Sequence, residues 1–334
     1  MVRHPSLVSS LVWSVGSLAL PLSLSLSLSL SSATLHAQAA YPAKPVRIIV
    51  PYAAGGSPDT FTRILVKSLE PRLKQPVLVE NKPGANSVLG MAYTAKQAPD
   101  GYTITYATNS GLSSARALFK NLSYDPINDF SGIILAQDAY FALMVRNEEK
   151  GTSFAQYLEK MRRNPEKYSI GGASTTMEIL NKMIETSAKT SQAYARYANP
   201  AIQVSDLLGG RLGGIIHTMN ASINMHRSGQ AHAIAVSAPE RLATLPDVPT
   251  MVETLPGVTI STWTGFWAPA KTPRPIVDYL YQQFAEALKH PEAVKYSENV
   301  GKALAMPPAE LDAFVRKEEA RWMALAKAAG ISPE

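Results

Sequence analysis

The fold is decided by residues 46–80, "VRIIVPYAAGGSPDTFTRILVKSLEPRLKQPVLVE". The β-branched run 46–50 and the run "PVLVE" each predict a strand. Between them, apolar residues recur at helical spacing: Phe61, Ile64, Leu65, Leu69 and Leu73. A second helix, "SVLGMAYTAKQA", and a third strand, "YTITYAT", continue the pattern. Strands that alternate with helices in this way predict an α/β fold with a parallel sheet and crossover helices.

A second set of strands and helices begins near Tyr140, and the chain returns to the first set around Thr259 to Trp263. We therefore expect two lobes, residues 40–139 plus 260–334 and residues 140–259, with a cleft that closes on a ligand. Trp263 and Trp267, at the return point, are expected to be core aromatics.

The N-terminus resembles a secretory leader. It opens with Arg3, stays uncharged through Ala33 and reaches Ala37-Gln38-Ala39, which fits the small-x-small cleavage rule. A membrane anchor is the alternative, but the serine–leucine alternation keeps its hydrophobicity modest and no basic stop-transfer segment follows. We expect residues 1–39 to be a signal peptide and the mature protein to be periplasmic.

Composition excludes several classes of site. The chain has 334 residues and no cysteine, so disulfides, thiolate nucleophiles and cysteine metal sites are absent. Its net charge of +6 is spread without a basic stripe of stacking aromatics, so nucleic-acid binding is not expected. Four histidines lie beyond the leader, and none belongs to an H-x-x-x-H pair: His217, His226, His232 and His290. We therefore predict neither a bound metal nor a cofactor.

The loop "VPYAAGGSPDT", residues 50–60, lacks the known catalytic patterns. Asp59 stands where G-x-S-x-G needs glycine, and Pro58 has no N–H to offer an oxyanion. No P-loop lysine follows, and no G-x-G-x-x-G occurs. A secreted hydrolase or isomerase acting on a small organic acid stays the alternative, because catalytic residues can converge from distant positions.

The same loop has the features of an anion cradle. Ser57 as the cap, Pro58 as a rigid first residue and Asp59 as an acid in the first turn suit a helix start, whose free N–H groups and dipole favour a carboxylate. Gly55 and Gly56 let the backbone approach a ligand closely. An ordinary turn without ligand is the other interpretation. A similar loop, "IGGASTTMEIL" at residues 170–180, lies in the second set, so two loops could grip one carboxylate or a dicarboxylate from both sides.

Several longer motifs carry a family resemblance. Residues 41–90 contain P-Y-x-x-G-G-x-x-D and V-E-N-K-P-G-A, and "APDGYTI", "LSYDPINDF", "DLLGGRL", "LPDVPTMVE" and "RWMALAKAAGI" follow in order. The chain resembles the Bug-type extracytoplasmic receptors of tripartite tricarboxylate transporters over about residues 41–331. The resemblance implies a two-lobed periplasmic binding protein (type II, Venus-flytrap), not an enzyme, that binds a small carboxylate between its lobes. It also implies a monomer whose partners are membrane carrier subunits or a sensor kinase.

The resemblance also implies a set of ligand-binding residues. They come from the first-lobe loop, a strand end and the second lobe: Tyr52, Ala54, Gly55, Gly56, Ser57, Asp59, Thr108, Asn109, Ser110, Gly172, Ala173, Ser174, Thr175, Thr176, Tyr197 and His217. Gly171 belongs to the same second-lobe loop. For Asp59 we expect loop ordering or water positioning, because a carboxylate would repel a bound carboxylate.

The second lobe departs from the family pattern. Its glycine loop is about two residues shorter, the usual Y-K-G reads Tyr197-Ala198-Asn199, and the usual D-L-M-F-D reads Gly213 to His217. Two acids are thereby lost, and His217 replaces one that could hold an ammonium group. We therefore expect a ligand without an amino group, a dicarboxylate or an aromatic carboxylate, to which His217 could donate while becoming more cationic. A histidine packed at the cleft wall is the alternative.

Overall fold

The computed structural model describes residues 41–333 of the chain. The predicted signal peptide, residues 1–39, lies outside the described residues. Residues 41–333 form two mixed β-sheets surrounded by helices, and the elements are numbered along the chain. No helix in this range is both long and apolar enough to cross a bilayer.

The first sheet has six strands: β1 (Val46–Val50), β2 (Val77–Asn81), β3 (Thr103–Thr108), β4 (Phe130–Ala139), β10 (Thr262–Pro269) and β11 (Gly301–Met306). Their order is β11-β4-β10-β3-β1-β2. β1 pairs in parallel with β2 and β3, as the strand–helix–strand pattern predicts. β10 pairs antiparallel with both β3 and β4, and β11 antiparallel with β4, so the sheet is mixed.

The second sheet has five strands: β5 (Phe141–Val145), β6 (Ile170–Gly172), β7 (Tyr194–Arg196), β8 (Gly214–Thr218) and β9 (His232–Val236). Their order is β7-β6-β8-β5-β9. The chain changes sheets at Tyr140 and again between β9 and β10. The division of the chain into two lobes at residues 140 and 260 stays a prediction.

Ten helices connect these strands within residues 41–333. Those along the first sheet's part of the chain are α1 (Ser57–Leu73), α2 (Val88–Ala95), α3 (Ala115–Leu118), α8 (Arg274–Ala287), α9 (Pro291–Val300) and α10 (Pro308–Ala328). Those between strands of the second sheet are α4 (Phe154–Arg163), α5 (Thr175–Ala188), α6 (Pro200–Leu208) and α7 (Met219–Ser228).

The predicted apolar face of α1 is buried. Each of its five residues is at most 8% exposed, and the face packs with β1 and β3 in one hydrophobic core. Trp263 and Trp267 are also buried, with ring centroids 5.6 Å apart, and the Trp263 indole donates to Glu318 at 3.2 Å. One hydrophobic cluster therefore holds the beginning of α1, and a second holds β10, which lies between β3 and β4 in the first sheet.

Candidate functional site

A cavity of about 550 Å³ is lined by residues of both sheets and of the helices between their strands. The first-sheet part of the chain supplies the loop 52–58, Thr108, Ser110, Thr262 and Tyr296, and the second supplies residues at the beginnings of α5, α6 and α7. No Lys, Arg, Asp or Glu of residues 41–333 lines this cavity. No group of three or more His, Asp and Glu side chains in the same range is arranged to hold a metal ion.

The loop between β1 and α1 takes a shape that requires glycine at one position. Gly55 has a φ of +78°, in the left-handed region that other residues adopt at a cost. Gly56, extended at φ −72° and ψ 169°, is the N-cap residue of α1, so the sequence-based expectation of Ser57 as the cap is off by one residue. No side chain caps the helix from the N-cap position, and Gly56, Ser57 and Pro58 at its beginning line the cavity.

Asp59 orders this loop from within the helix. Its carboxylate accepts the Gly55 N–H at 2.9 Å, the Asn81 amide at 3.0 Å and the Arg63 guanidinium at 3.0 Å. Burial raises the pKa of this carboxyl, but the hydrogen bonds from Arg63, Gly55 and Asn81 together outweigh burial and leave the pKa below its usual value. Asp59 does not line the cavity, and this geometry suits the predicted loop-ordering role.

Of the three residues predicted to bind the ligand at the end of β3, two line the cavity and one does not. Thr108 and Ser110 line the cavity, and the Thr108 hydroxyl pairs with the Tyr52 hydroxyl at 2.7 Å. Asn109 is fully buried and does not line the cavity. Its amide donates to the Thr176 hydroxyl of α5 at 2.9 Å, so it joins the two halves of the cleft.

The second glycine loop is only partly at the cavity wall. Ala173, Ser174 and Thr176 line the cavity, and Ser174 caps α5 by accepting the Met177 N–H at 3.3 Å. Gly172 is buried within β6, and Thr175 accepts a hydrogen bond from Asn86 at 2.9 Å.

Tyr197 also lies off the cavity wall. Its hydroxyl donates to the Asp206 carboxylate at 2.7 Å. The positions beside it in sequence do line the cavity, since Ala198, Asn199 and Pro200 form the beginning of α6 there.

His217 is the second-last residue of β8, lines the cavity and is 6% exposed. Its Nδ1 accepts the Thr218 N–H at 2.8 Å, so in the neutral ring the hydrogen is on Nε2. Burial lowers the pKa of this imidazole to about 4, and the ring is neutral near pH 7.

Sequence reasoning missed the beginning of α7 as part of the site. Thr218, Met219, Asn220 and Ala221 line the cavity, and no side chain caps this helix. Its signal in the sequence was the passage from a buried strand to a threonine and a helix, "GGIIHTMNAS", without the paired glycines after the strand that mark the other two loops.

Comparison with known proteins identifies the family. The model of the tripartite tricarboxylate transporter family receptor matches residues 61–331. The solved periplasmic binding protein BugD is 31% identical, with a TM-score of 0.81 over 88% of this chain and 100% of its own. A Rhodopseudomonas palustris protein solved with adipate is 27% identical, with a TM-score of 0.82 over 88% of this chain and 100% of its own.

A third solved structure extends the likeness. MatC of Rhodopseudomonas palustris, with bound malate, is 26% identical, with a TM-score of 0.77 over 85% of this chain and 99% of its own. The expected two-lobed periplasmic binding protein fold is confirmed by these structures, whose family comprises transporter receptors rather than enzymes. The chain belongs to the tripartite tricarboxylate transporter receptor family, in agreement with its Bug-type sequence motifs.

Proposed function

We propose that the protein is a periplasmic receptor that captures a small carboxylate without an amino group and delivers it to a membrane carrier of the tripartite tricarboxylate type. One observation carries the proposal: the cavity is walled by helix N-termini, hydroxyls, amides, the neutral His217 and apolar side chains, and no Lys, Arg, Asp or Glu side chain of residues 41–333 lines it. The ligand is therefore recognised by backbone and hydroxyl donors.

The carboxylate is proposed to bind at the beginning of α1. The N–H groups of the first helical turn have no partners within the helix, and the helix dipole adds about half a positive charge there. Ala54, Gly55, Gly56 and Ser57 line this position, with Tyr52, Thr108 and Ser110 beside it. Asp59 contributes by holding Gly55, with its own charge compensated by Arg63.

We propose a ligand without an amino group because no Asp or Glu side chain of residues 41–333 lines the cavity. An ammonium group that leaves water for a cavity of this kind needs a carboxylate partner, because an unpaired buried charge is strongly unfavourable. Neutral His217 supplies a donor where an amino-acid receptor needs an acceptor. Ala173, Ser174 and Thr176 are proposed to complete the second-lobe contacts, with Gly172, Thr175, Tyr197 and Asn109 supporting the wall.

The proposed cycle is that of a two-state receptor. Closing the cleft removes water from the carboxylate, and the closed form is the one presented to the membrane carrier or to a sensor. The relatives solved with adipate and malate support a carboxylate ligand. Residues 1–39 are proposed to direct export and to be cleaved after Ala39 or a neighbouring residue.

Mass spectrometry of acids retained by the purified protein, followed by a melting screen with carboxylates, tests this function. We expect a retained carboxylate that raises the melting temperature and is recovered unchanged after long incubation. Conversion of the bound acid into a product, lost when His217 or Ser57 is replaced, would instead identify the secreted enzyme. Absence of stabilisation by any carboxylate would contradict the receptor.

A further inference from the structure

The N-terminal ends of α1 and α7 meet across the cleft. Ser57, the first residue of α1, and Thr218, the residue before α7, have hydroxyl oxygens 3.4 Å apart. The helices contain 17 and 10 residues, and neither has a side-chain hydrogen bond from its N-cap residue. Each end carries about half a positive charge, so two uncapped ends this close favour an anion between them.

The other two helices that begin at the cavity are already capped. Ser174 accepts an N–H of α5 at 3.3 Å, and Asn199 accepts the Ala201 N–H of α6 at 2.9 Å. Each of these caps satisfies one N–H group of its helix, so α1 and α7 are the two ends at the cavity without any side-chain cap, and they lie next to each other. The position between them is shared by the two halves of the cleft, since α1 follows a strand of the first sheet and α7 a strand of the second.

His217 gives independent evidence that a ligand completes this position. His217 directly precedes Thr218 in the sequence. The residue is 94% buried and lies in the wall of the cavity. With Nδ1 occupied by the Thr218 N–H, the hydrogen on Nε2 has no acceptor among residues 41–333. Nε2 is not among the fully enclosed side-chain atoms without a partner, so its N–H opens onto the cavity, where an acceptor of the ligand can take the place of water.

The rest of the cavity suits an uncharged group. Its volume of about 550 Å³ equals roughly eighteen waters at about 30 Å³ each, well beyond the space that one carboxylate fills. Around α6 the wall is formed by Pro200, Ala201 and Val204. A second carboxylate placed here would lose its hydration and would meet neither a cationic side chain nor a helix end without a side-chain cap.

We infer that the ligand is a monocarboxylate with a bulky uncharged body, such as an aromatic acid, whose carboxylate lies between the first turns of α1 and α7. His217 Nε2 donates to an acceptor of the same ligand. This inference rests on the proposed carboxylate receptor and names its substrate class.

Calorimetry with matched acids tests the class. Benzoate and terephthalate share a ring, and hexanoate and adipate share a six-carbon chain, so each pair differs by one carboxylate. We expect the best monocarboxylate to bind at least about tenfold more tightly than any dicarboxylate, malate included. A smaller preference, or a dicarboxylate that binds more tightly, overturns the inference and leaves the receptor standing. If none of the five acids binds, both this inference and the proposed receptor function are contradicted.

A pair of isosteric variants tests the role of α7. Asn220 lies in its first turn and Asn224 one turn later, and both line the cavity. Asn220→Asp places a negative charge beside the ligand carboxylate and should weaken benzoate binding at least about tenfold, whereas Asn224→Asp should weaken it less than about threefold. An acid in the first turn of α7 also interacts favourably with the positive end of the helix dipole and stabilises the protein without ligand. The melting temperature of ligand-free Asn220→Asp should therefore not fall. Equal effects of the two variants on affinity would overturn the inference.

Discussion

The Asn109 amide donates to the Thr176 hydroxyl at 2.9 Å, and both side chains are buried. Asn109 follows β3 of the first sheet, and Thr176 lies in the first turn of α5 beside the second sheet. The Thr262 hydroxyl donates to Asn109 Oδ1 at 2.5 Å and fixes the orientation of the amide. The bond therefore joins the two sides of the cleft.

Thr176→Val should weaken ligand binding while leaving the empty protein folded. Valine has nearly the same shape but leaves the buried Asn109 N–H without an acceptor, which costs about 1–3 kcal/mol in the closed form. We expect a roughly tenfold rise in the dissociation constant, mostly from faster release. Thr175→Val is the control, because its bond to Asn86 at 2.9 Å is less buried. Equal losses in the two variants, measured by calorimetry, would contradict this role.

Gly55→Ala should damage both the loop and ligand binding. Its φ of +78° is strained for alanine by about 1 kcal/mol, although a Cβ would have open space around it. Gly151, at φ +85° and also with open space, is the matched control away from the cavity. We expect similar losses of unfolding free energy in both alanine variants and a raised dissociation constant only for Gly55→Ala. Unchanged affinity in Gly55→Ala would refute the proposed cradle.

Asp59→Asn should loosen the loop without removing the ligand site. An asparagine oxygen can still accept the Gly55 N–H but gives up the ion pair with Arg63. We expect the free energy of unfolding to fall by about 1 kcal/mol and the affinity to fall a few-fold. Complete loss of binding in a folded variant would instead indicate that Asp59 contacts the ligand directly.

Acid titration should show the Asp59 contribution separately. Its pKa is lower in the folded protein than in the unfolded chain, so its stabilisation is full above about pH 4 and disappears as the pH falls through the folded value. Urea unfolding at about pH 5 and about pH 3 should show a larger loss in the wild type than in Asp59→Asn. Identical losses would mean that Asp59 has an ordinary pKa in the folded state.

His217 should make the empty protein less stable in mild acid. The pKa of its imidazole is about 4 in the folded state against 6.5 in the unfolded chain, so the unfolded chain binds more protons between these values. Stability is therefore full above about pH 6.5 and declines as the pH falls towards 4. Urea unfolding at about pH 7.5 and about pH 5 should show a smaller decline for His217→Gln. An equal decline in both proteins would place the imidazole in contact with water.

The sequence predicts those strands and helices in which the spacing of apolar residues and the residue propensities favour the same element. The strand 46–50 and the apolar face of α1 both recur in the structure. β4 and β11 were not predicted. β4 is a buried run without clear alternation, and β11 mixes glycine and alanine, residues that are weak strand formers.

The sequence predicts the parts of the site that lie beside a pair of glycines between a strand and a helix. The loop before α1 was found from its glycines, whereas the beginning of α7 lacks them and depends on how β8 stands beside β5 and β6. Asn109 and Tyr197 were assigned to the ligand by resemblance. The Asn109 side chain bonds to Thr176, 67 residues away, and the Tyr197 side chain bonds to Asp206, nine residues away, and no simple sequence pattern encodes either contact.

The central claim, a receptor for carboxylates without an amino group, is tested most directly by calorimetry with two pairs of acids. 3-Phenylpropanoate and phenylalanine differ only by the α-amino group, as do succinate and aspartate. We expect the amino-free member of each pair to bind at least about tenfold more tightly, because no carboxylate of residues 41–333 lines the cavity to hold an ammonium group. Tight binding of phenylalanine or aspartate, with none of the amino-free acids, would contradict the account.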